Sequence, residues 1–388
     1  MKFEFIAPEK IIFGEETVTS VANEAKKFGK RVCLITGKTA MARSGILNNV
    51  RNSLENAELE VILFDNVIPE PTTKMVDEAR ALVKTTQCEI IIGLGGGSTL
   101  DVAKSVAGLA NEDGGSVEYQ GGLPREGRKI KKQGLPFIAI PTTAGTGAEA
   151  TYNAVIINEE KKVKQSIRDH SLMAKVAIVD PILTLTLSPN ITAISGMDTL
   201  VHLIEGYVSN SANPLTDALA IAGIKLVGSS LKKAVEDGQD KKARTDMSLA
   251  SLLGGMVLAN AGLGAVHGLA SSLGPLYNIP HGLVCAILLP YVMEYNLETD
   301  IPKFAQIAYS LDTQTTNISM EGAAFESIVL VEKLIASLNL PFNLISLGVQ
   351  ERDLPIIVQE VSSSLKYNPK EATFKDLINI LKNAMTGE

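Results

Sequence analysis

Four histidines occur in the chain, and three of them stand where an imidazole is costly. His202 lies in GMDTLVHLIEGY (196–207), where Met197, Leu200, Val201 and Ile204 recur at helical spacing and Asp198 sits one turn earlier, on the flank of that apolar stripe. Two readings fit the pair. It is a helix-surface contact stabilising by ~0.2–0.5 kcal/mol, or two ligands presented by one helix. His267 in GAVHGLASS and His281 in YNIPHGLVCAILLP are set among glycines and apolar residues. An unpartnered polar group buried there costs roughly 1–3 kcal/mol, so each taken alone reads as a satisfied core histidine. Together with Asp198 and His202 they make three imidazoles and one carboxylate. That donor set suits a divalent first-row metal such as Fe(II) or Zn(II), with a position left for a substrate oxygen. His170, in the polar IRDHS, reads as a surface residue.

A second kind of chemistry is carried by backbone. GLGGGSTLDVAKS (93–105) follows a strongly apolar run and opens a helical pattern. Gly95, Gly96 and Gly97 let the chain approach a bulky group, Ser98 is placed to cap the helix, and N–H groups at a helix start favour phosphate. The stretch is neither G-x-G-x-x-G nor a P-loop. PTTAGTGAE (141–149), after another apolar run, offers more small hydrogen-bonding groups. An empty strand–helix turn remains the alternative for each loop, but two of them at the ends of separate strands favour one dinucleotide site.

The elements that must position these residues alternate in the first half. Apolar runs at 31–37, 60–65, 89–95, 136–142 and 175–180 read as strands, and SGILNNVRNSLENA, TTKMVDEARALVKTTQ and TLDVAKSVAGLA as helices between the first four. That pattern predicts an α/β domain with a doubly wound, mostly parallel sheet, binding ligands at the carboxyl ends of its strands. After VDP (179–181) the periodicity is helical to the end. The expected division is 1–181 as a dinucleotide-binding α/β domain and 182–388 as an all-α metal-binding and catalytic domain, packed closely with a cleft between them. The length of 388 residues exceeds one ordinary core.

Composition narrows the partners. A formal net charge of −7 and the absence of Trp argue against nucleic acid and against stacking platforms, and the basic REGRKIKKQG (125–134) reads as a solvated loop. Cys33, Cys88 and Cys285 are far apart and odd in number, so neither a disulfide framework nor a Cys-type zinc site is indicated and a cytoplasmic location is expected. The start lacks a signal-peptide pattern. Residues 247–280 are long enough to span a bilayer, yet six glycines, four serines and His267 predict a long or broken helix inside a helical domain, with no membrane partner.

Taken in order, IIFG, GGGSTLDVAK, PTTAGTGAE, VDPILTLTLSPNITAISGMDTLVHLIEGY, NAGLGAVHGLASSLGPLYNIPHGLVCAILLPYVMEYN and YNPKEATFKDL resemble the iron-containing, or group III, alcohol dehydrogenases over nearly the whole chain. The resemblance implies a nucleotide-binding α/β domain, an all-helical domain, and reversible hydride transfer between a small alcohol and NAD or NADP. It places the metal ligands on Asp198, His202, His267 and His281, the pyrophosphate loop on Gly95, Gly96, Gly97 and Ser98, the second cofactor loop on Thr142, Thr143 and Thr146, and a ribose-holding lysine on Lys164. It also implies a homo-oligomer, a dimer or larger, through the N-terminal strand. Two departures stand out. Gly37, followed by Lys38, replaces the Asp that many NAD-using members carry, which leans the expectation towards NADP or both cofactors. Ser271 stands where several relatives have a further histidine, so a proton relay there ranks behind bound water and the ribose hydroxyl. Tyr152, Asn153 and Leu263, near these motifs in sequence, are offered for the substrate pocket. Three alternatives remain beside this reading. A sugar-phosphate cyclase would need a basic cluster that the metal-flanking segments lack. The others are a glycerol-dehydrogenase-like zinc enzyme and a non-catalytic nucleotide- or metal-binding protein.

Overall fold

The computed structural model describes residues 2–121, 127–160, 163–312, 315, 318–359, 361 and 363–387. The chain forms two compact units, one of Ala7–Thr143 and Gly147–Thr186, the other of Met1–Ile6, Ala144–Thr146 and Leu187–Glu388.

The first unit runs β1 (Lys10–Phe13), α1 (Val21–Ala25), β2 (Arg31–Gly37), α2 (Ala40–Arg43), α3 (Ile46–Asn56), β3 (Glu60–Val67), α4 (Thr73–Thr86), β4 (Ile90–Gly95), α5 (Gly97–Leu109), β5 (Phe137–Pro141), β6 (Asn153–Asn158), β7 (Val163–Arg168) and β8 (Val176–Val179). Six strands pair in parallel in the order β1-β8-β5-β4-β2-β3. Both faces of the sheet are covered, which is why its strands read as unbroken apolar runs. Cys33, Ile35, Ile91 and Ala139 pack into one core with α4 and α5, and Val32, Leu34, Ile90, Ile92, Ile138 and Ile140 into the other with α1 and α3. The five expected strands are all present within two residues of their sequence limits. β6 and β7 form a separate antiparallel hairpin that the sequence reading did not expect, because its sides alternate and carry Lys164, Gln165 and Arg168 instead of an apolar run.

The basic stretch after residue 127 folds back on its own acidic loop; Arg125 and Glu126 lie outside the described residues. The backbone N–H groups of Lys131 and Lys132 donate to Glu112, and Lys132 and Arg128 pair with Asp113 and Glu118. These charges are matched within the chain.

The second unit is helical: α6 (Pro189–Val208), α7 (Pro214–Glu236), α8 (Lys241–Ala261), α9 (Ala265–Tyr277), α10 (His281–Asn296), α11 (Ile301–Leu311), α12 (Met320–Ser337), α13 (Leu354–Gln359) and α14 (Phe374–Thr386). Ser188 caps α6 through Ile191 N–H, and Pro189 takes the first helical position, where a missing N–H costs nothing. From Gly196 to Val208 every residue of α6 is buried, so Asp198 and His202 are interior residues and not the flank of an amphipathic stripe. Met197, Leu200, Val201, Leu203 and Ile204 are each at most 1% exposed. Burying such side chains stabilises by ~1.5–3 kcal/mol apiece, enough to offset taking a carboxylate and an imidazole inside. The apolar stretch expected as a long or broken helix is broken: α8 and α9 are bent by 105°. Among the described residues no single helix is long and apolar enough to cross a membrane.

Candidate metal centre and cofactor loops

Three helices of the second unit bring the expected donors together. Asp198 and His202 come from α6, His267 from the first turn of α9, and His281 from the first residue of α10. The approach of α10 to α6 depends on Gly282, where a Cβ would lie 2.5 Å from the Ile194 carbonyl oxygen and 3.2 Å from Asp198 Cβ. Any side chain there would push His281 away from Asp198. The Nε2 atoms of His202, His267 and His281 lie 3.9, 3.6 and 3.9 Å from Asp198 Oδ1. The His202 and His267 rings stack at 4.8 Å.

The donor set fits a divalent metal on two counts. Oδ1 of Asp198 is buried and has no hydrogen-bond partner among the described residues, a costly arrangement for an ionised oxygen in a protein interior. Donors bound about 2.0–2.2 Å from one ion at tetrahedral angles stand about 3.4 Å apart, close to the spacings observed. Among protein groups alone, burial pushes Asp198 up, but His202, His267 and His281 together hold it below the ordinary carboxylate range. Burial drives His202 down to about 4, which keeps it neutral and able to donate a lone pair.

Two participants escaped the sequence reading. Glu205, buried one turn beyond His202, accepts from His267 Nδ1 at 2.7 Å and from Val266 N–H at 2.7 Å. It thereby orients the His267 ring and the start of α9 at once. Its signal was available, since positions 198, 202 and 205 share one helix face. The other is Cys285, expected to be only a buried thiol. Its Sγ lies 3.5 Å from His281 Nε2 and 3.9 Å from His267 Nε2, a proximity that the spacing of the cysteines in the sequence did not suggest. Ser271, offered as a relay, donates its hydroxyl to the His267 carbonyl one turn back. His170 is exposed, with its ring 5.1 Å from that of Tyr152.

In the first unit the two expected loops meet. β4 and β5 are neighbours with Gly95 opposite Pro141, and Thr142 N–H donates to the Gly95 carbonyl at 3.0 Å. A Cβ at Gly96 would stand 3.1 Å from Thr143 Cγ2, so bare backbone is needed where the loops touch. Gly37 ends β2 on the other side of β4. Because the chain goes outward from β2 to β3 and returns to β4 on the opposite side, the strand order reverses there, the position at which such sheets bind ligands. Ser98 does not cap α5. The helix begins at Gly97 with Gly96 as N-cap and no side-chain bond, because the chain turns into the helix directly from β4. No side chain of the helix's own cap occupies its first N–H groups, and an anion suits them. Thr146 belongs to the helical unit, whereas Thr142 and Thr143 belong to this one. Lys164 lies on β7 opposite Ile157 and pairs with Glu70.

Lys104 ties this region together and was also missed. Its ammonium, fully buried, donates to the carbonyls of Ala148, Thr151 and Asn153 and to Thr151 Oγ1 at 2.7–3.2 Å, with Asp101 at 3.4 Å. The helix after the glycine turn is thus fastened to the segment after the threonine loop.

Comparisons with known proteins agree with this architecture. The profile of the iron-containing alcohol dehydrogenases matches residues 8–181, and that of the Fe-containing alcohol dehydrogenase family C-terminal region matches residues 192–385. The chain is 37% identical over 382 residues to alcohol dehydrogenase 4 of Saccharomyces cerevisiae, covering 98% of each. It is 34% identical over 384 residues to the NAD-dependent methanol dehydrogenase of Bacillus methanolicus, covering 98% of this chain and 99% of the other. The crystal structure of a 1,3-propanediol oxidoreductase superimposes with a TM-score of 0.95 at 34% identity, covering 99% of this chain and 100% of that one.

Proposed function

This chain belongs to the iron-containing alcohol dehydrogenase family, and from that premise we propose how its own residues carry out reversible hydride transfer between a small alcohol and a nicotinamide cofactor. It is an oxidoreductase of alcohols and aldehydes that uses NAD. The observation that carries the residue assignment is the buried, unpartnered Asp198 Oδ1 faced by three imidazole nitrogens.

Asp198, His202, His267 and His281 hold the metal, Fe(II) in this reading. A divalent ion held there supplies Lewis-acid polarisation of the substrate oxygen, and the nicotinamide supplies or accepts the hydride. Glu205 keeps the proton of His267 on Nδ1 and so leaves Nε2, the nitrogen facing Asp198, as the donor. The negative charge of Asp198 offsets that of the cation, and the apolar packing of α6 lowers the local dielectric, which strengthens both contacts. The backbone of Gly95, Gly96, Gly97 and Ser98, with Thr142 and Thr143, cradles the pyrophosphate, and Lys104 holds the two loops in register. The Ser271 hydroxyl is engaged with the His267 carbonyl, which supports an exit of the proton through bound water or the ribose hydroxyl. Gly37 at the end of β2 stands where many NAD-using members carry an Asp, which supports acceptance of NADP beside NAD.

The test is to strip the purified protein with chelator and follow nicotinamide absorbance with aldehydes, using NADH and NADPH in parallel, while Fe(II) or Zn(II) is restored. Activity should return with one ion in the wild type and stay at background in His267→Ala. Full activity in verified metal-free protein would overturn the ligand assignment. A preference for NADH of more than about a hundredfold, some 2.7 kcal/mol, would overturn the cofactor tolerance.

A further inference from the structure

The four donors expected from the sequence are not the tightest cluster in the helical unit. Among the described residues, ligand atoms of Asp198, His267, His281 and Cys285 all lie within 4.8 Å of one another, and His202 stands outside that set. The convergence is specific. His267 Nε2 is 3.6 Å from Asp198 Oδ1 and 3.9 Å from Cys285 Sγ, and His281 Nε2 is 3.9 Å from the same oxygen and 3.5 Å from the same sulfur. Two ring nitrogens therefore each face both an oxygen and a sulfur, and a single ring N–H, which could only donate, or a single lone pair, which could only accept, cannot satisfy both. With zinc-type bonds of about 2.0 Å to nitrogen and about 2.3 Å to sulfur, tetrahedral donors stand about 3.5 Å apart, in keeping with the sulfur spacings. Cys285 lies one helical turn after His281 on α10 and is fully buried, with its sulfur beside the His281 ring. The second, independent sign of a ligand is the buried Asp198 Oδ1, which has no hydrogen-bond partner among the described residues.

We propose that Cys285 is a further protein donor to this metal centre, binding through its thiolate. The inference rests on the metal-site reading above and adds to it a residue outside the carboxylate–imidazole set. On ligation the Sγ–H bond breaks, its proton leaves to the buffer, and a sulfur lone pair forms the bond to the ion, with no change in oxidation state. A soft donor beside three imidazoles and a carboxylate favours Zn(II) or Co(II) over Fe(II) more than oxygen and nitrogen donors alone would. Thiolate ligation is compatible with alcohol chemistry, since a Cys2His zinc site serves another alcohol dehydrogenase architecture.

The experiment uses Co(II) as the probe. Chelator-stripped full-length protein is titrated with Co(II) without oxygen, and visible and near-ultraviolet spectra are recorded for the wild type, Cys285→Ala, Cys285→Ser and His267→Ala. The wild type should show visible ligand-field bands together with a near-ultraviolet thiolate-to-Co(II) charge-transfer band, saturating together. The Cys285 variants should keep the ligand-field bands and lose the charge-transfer band. In competition, metal analysis of Cys285→Ala should show a Zn(II)-over-Fe(II) preference lowered by about tenfold or more. Ligand-field bands without charge transfer in the wild type would overturn the role of Cys285 and leave the metal site standing. A charge-transfer band retained in the Cys285 variants would overturn it as well, by assigning the thiolate to Cys33 or Cys88. A wild type that binds no Co(II), or binds it no better than His267→Ala, would overturn the metal-site reading and this inference with it.

Discussion

The buried polar cluster around Lys104 in one unit and the one around Asp198 in the other are built on opposite terms. Around Lys104 the charge is satisfied: three carbonyls and a threonine hydroxyl accept from the ammonium, and Asp101 lies beside it. Around Asp198 the charge is not satisfied, since one carboxylate oxygen lacks a hydrogen-bond partner among the described residues although imidazole nitrogens stand at 3.6–3.9 Å. Both clusters cost solvation, and both are reached by helices packed in apolar surroundings. A satisfied buried ion holds a shape, here the register of two loops. An unsatisfied one suits the bound ion proposed above. Counting buried charges would not separate the two clusters, whereas counting the partners of each atom does.

The largest expected effect breaks the comparison on the metal side. Asp198→Asn removes the carboxylate that the three imidazole Nε2 atoms face, so bound metal should fall to background. The several kcal/mol of Lewis-acid assistance would then be lost, about a thousandfold in kcat. Metal analysis and steady-state rates check this. Heat unfolding of the chelator-stripped variant should shift less than that of the next one. Lys104→Met strands three carbonyls and Asp101 without their donor, and should lower stability by ~3–5 kcal/mol, read by denaturant unfolding. A Lys104→Met protein as stable as the wild type would show that this cluster is not the structural member of the pair.

The smallest effect sharpens the comparison through pH. Glu149 is buried close enough to Lys104 to feel its charge; burial raises its pKa to about 7, against its own backbone N–H and Lys104, which lower it. The sign follows from linkage. Below about pH 4.5 the folded and unfolded states both hold the proton. Between there and about pH 7 only the folded state holds it, so folding stability falls as pH rises through that window, by up to ~3 kcal/mol, and levels off above it. Glu149→Gln should flatten that part of the stability–pH curve. An unchanged slope between pH 4.5 and 7 would place the titration elsewhere.

Much of the architecture was legible beforehand, for local reasons. A strand covered on both faces must be apolar along its whole length, so β2, β4 and β5 announce themselves, and a helix that opens directly on a strand needs glycine. The hairpin of β6 and β7 was not legible, because Val163–Arg168 is largely polar and half-exposed pairing leaves only a weak alternation. Ser98 was misplaced because the rule for caps is statistical, while the position of Gly96 is set by how closely β4 feeds α5. Glu205 could have been found from its spacing to Asp198 and His202.

By itself, then, the sequence determined the parallel sheet, the helical second half, the glycine turn and the candidate set Asp198, His202, His267 and His281, because each follows from residue type and period along a short stretch. Only the tertiary structure decided that Cys285 faces His267 and His281, that Glu205 orients His267, that Lys104 fastens two loops, and that Asp198 is left with an oxygen that none of the described residues satisfies. Those facts depend on which helix faces press together, and that is set by the packing of side chains far apart in the chain, at contacts such as Gly282 against α6.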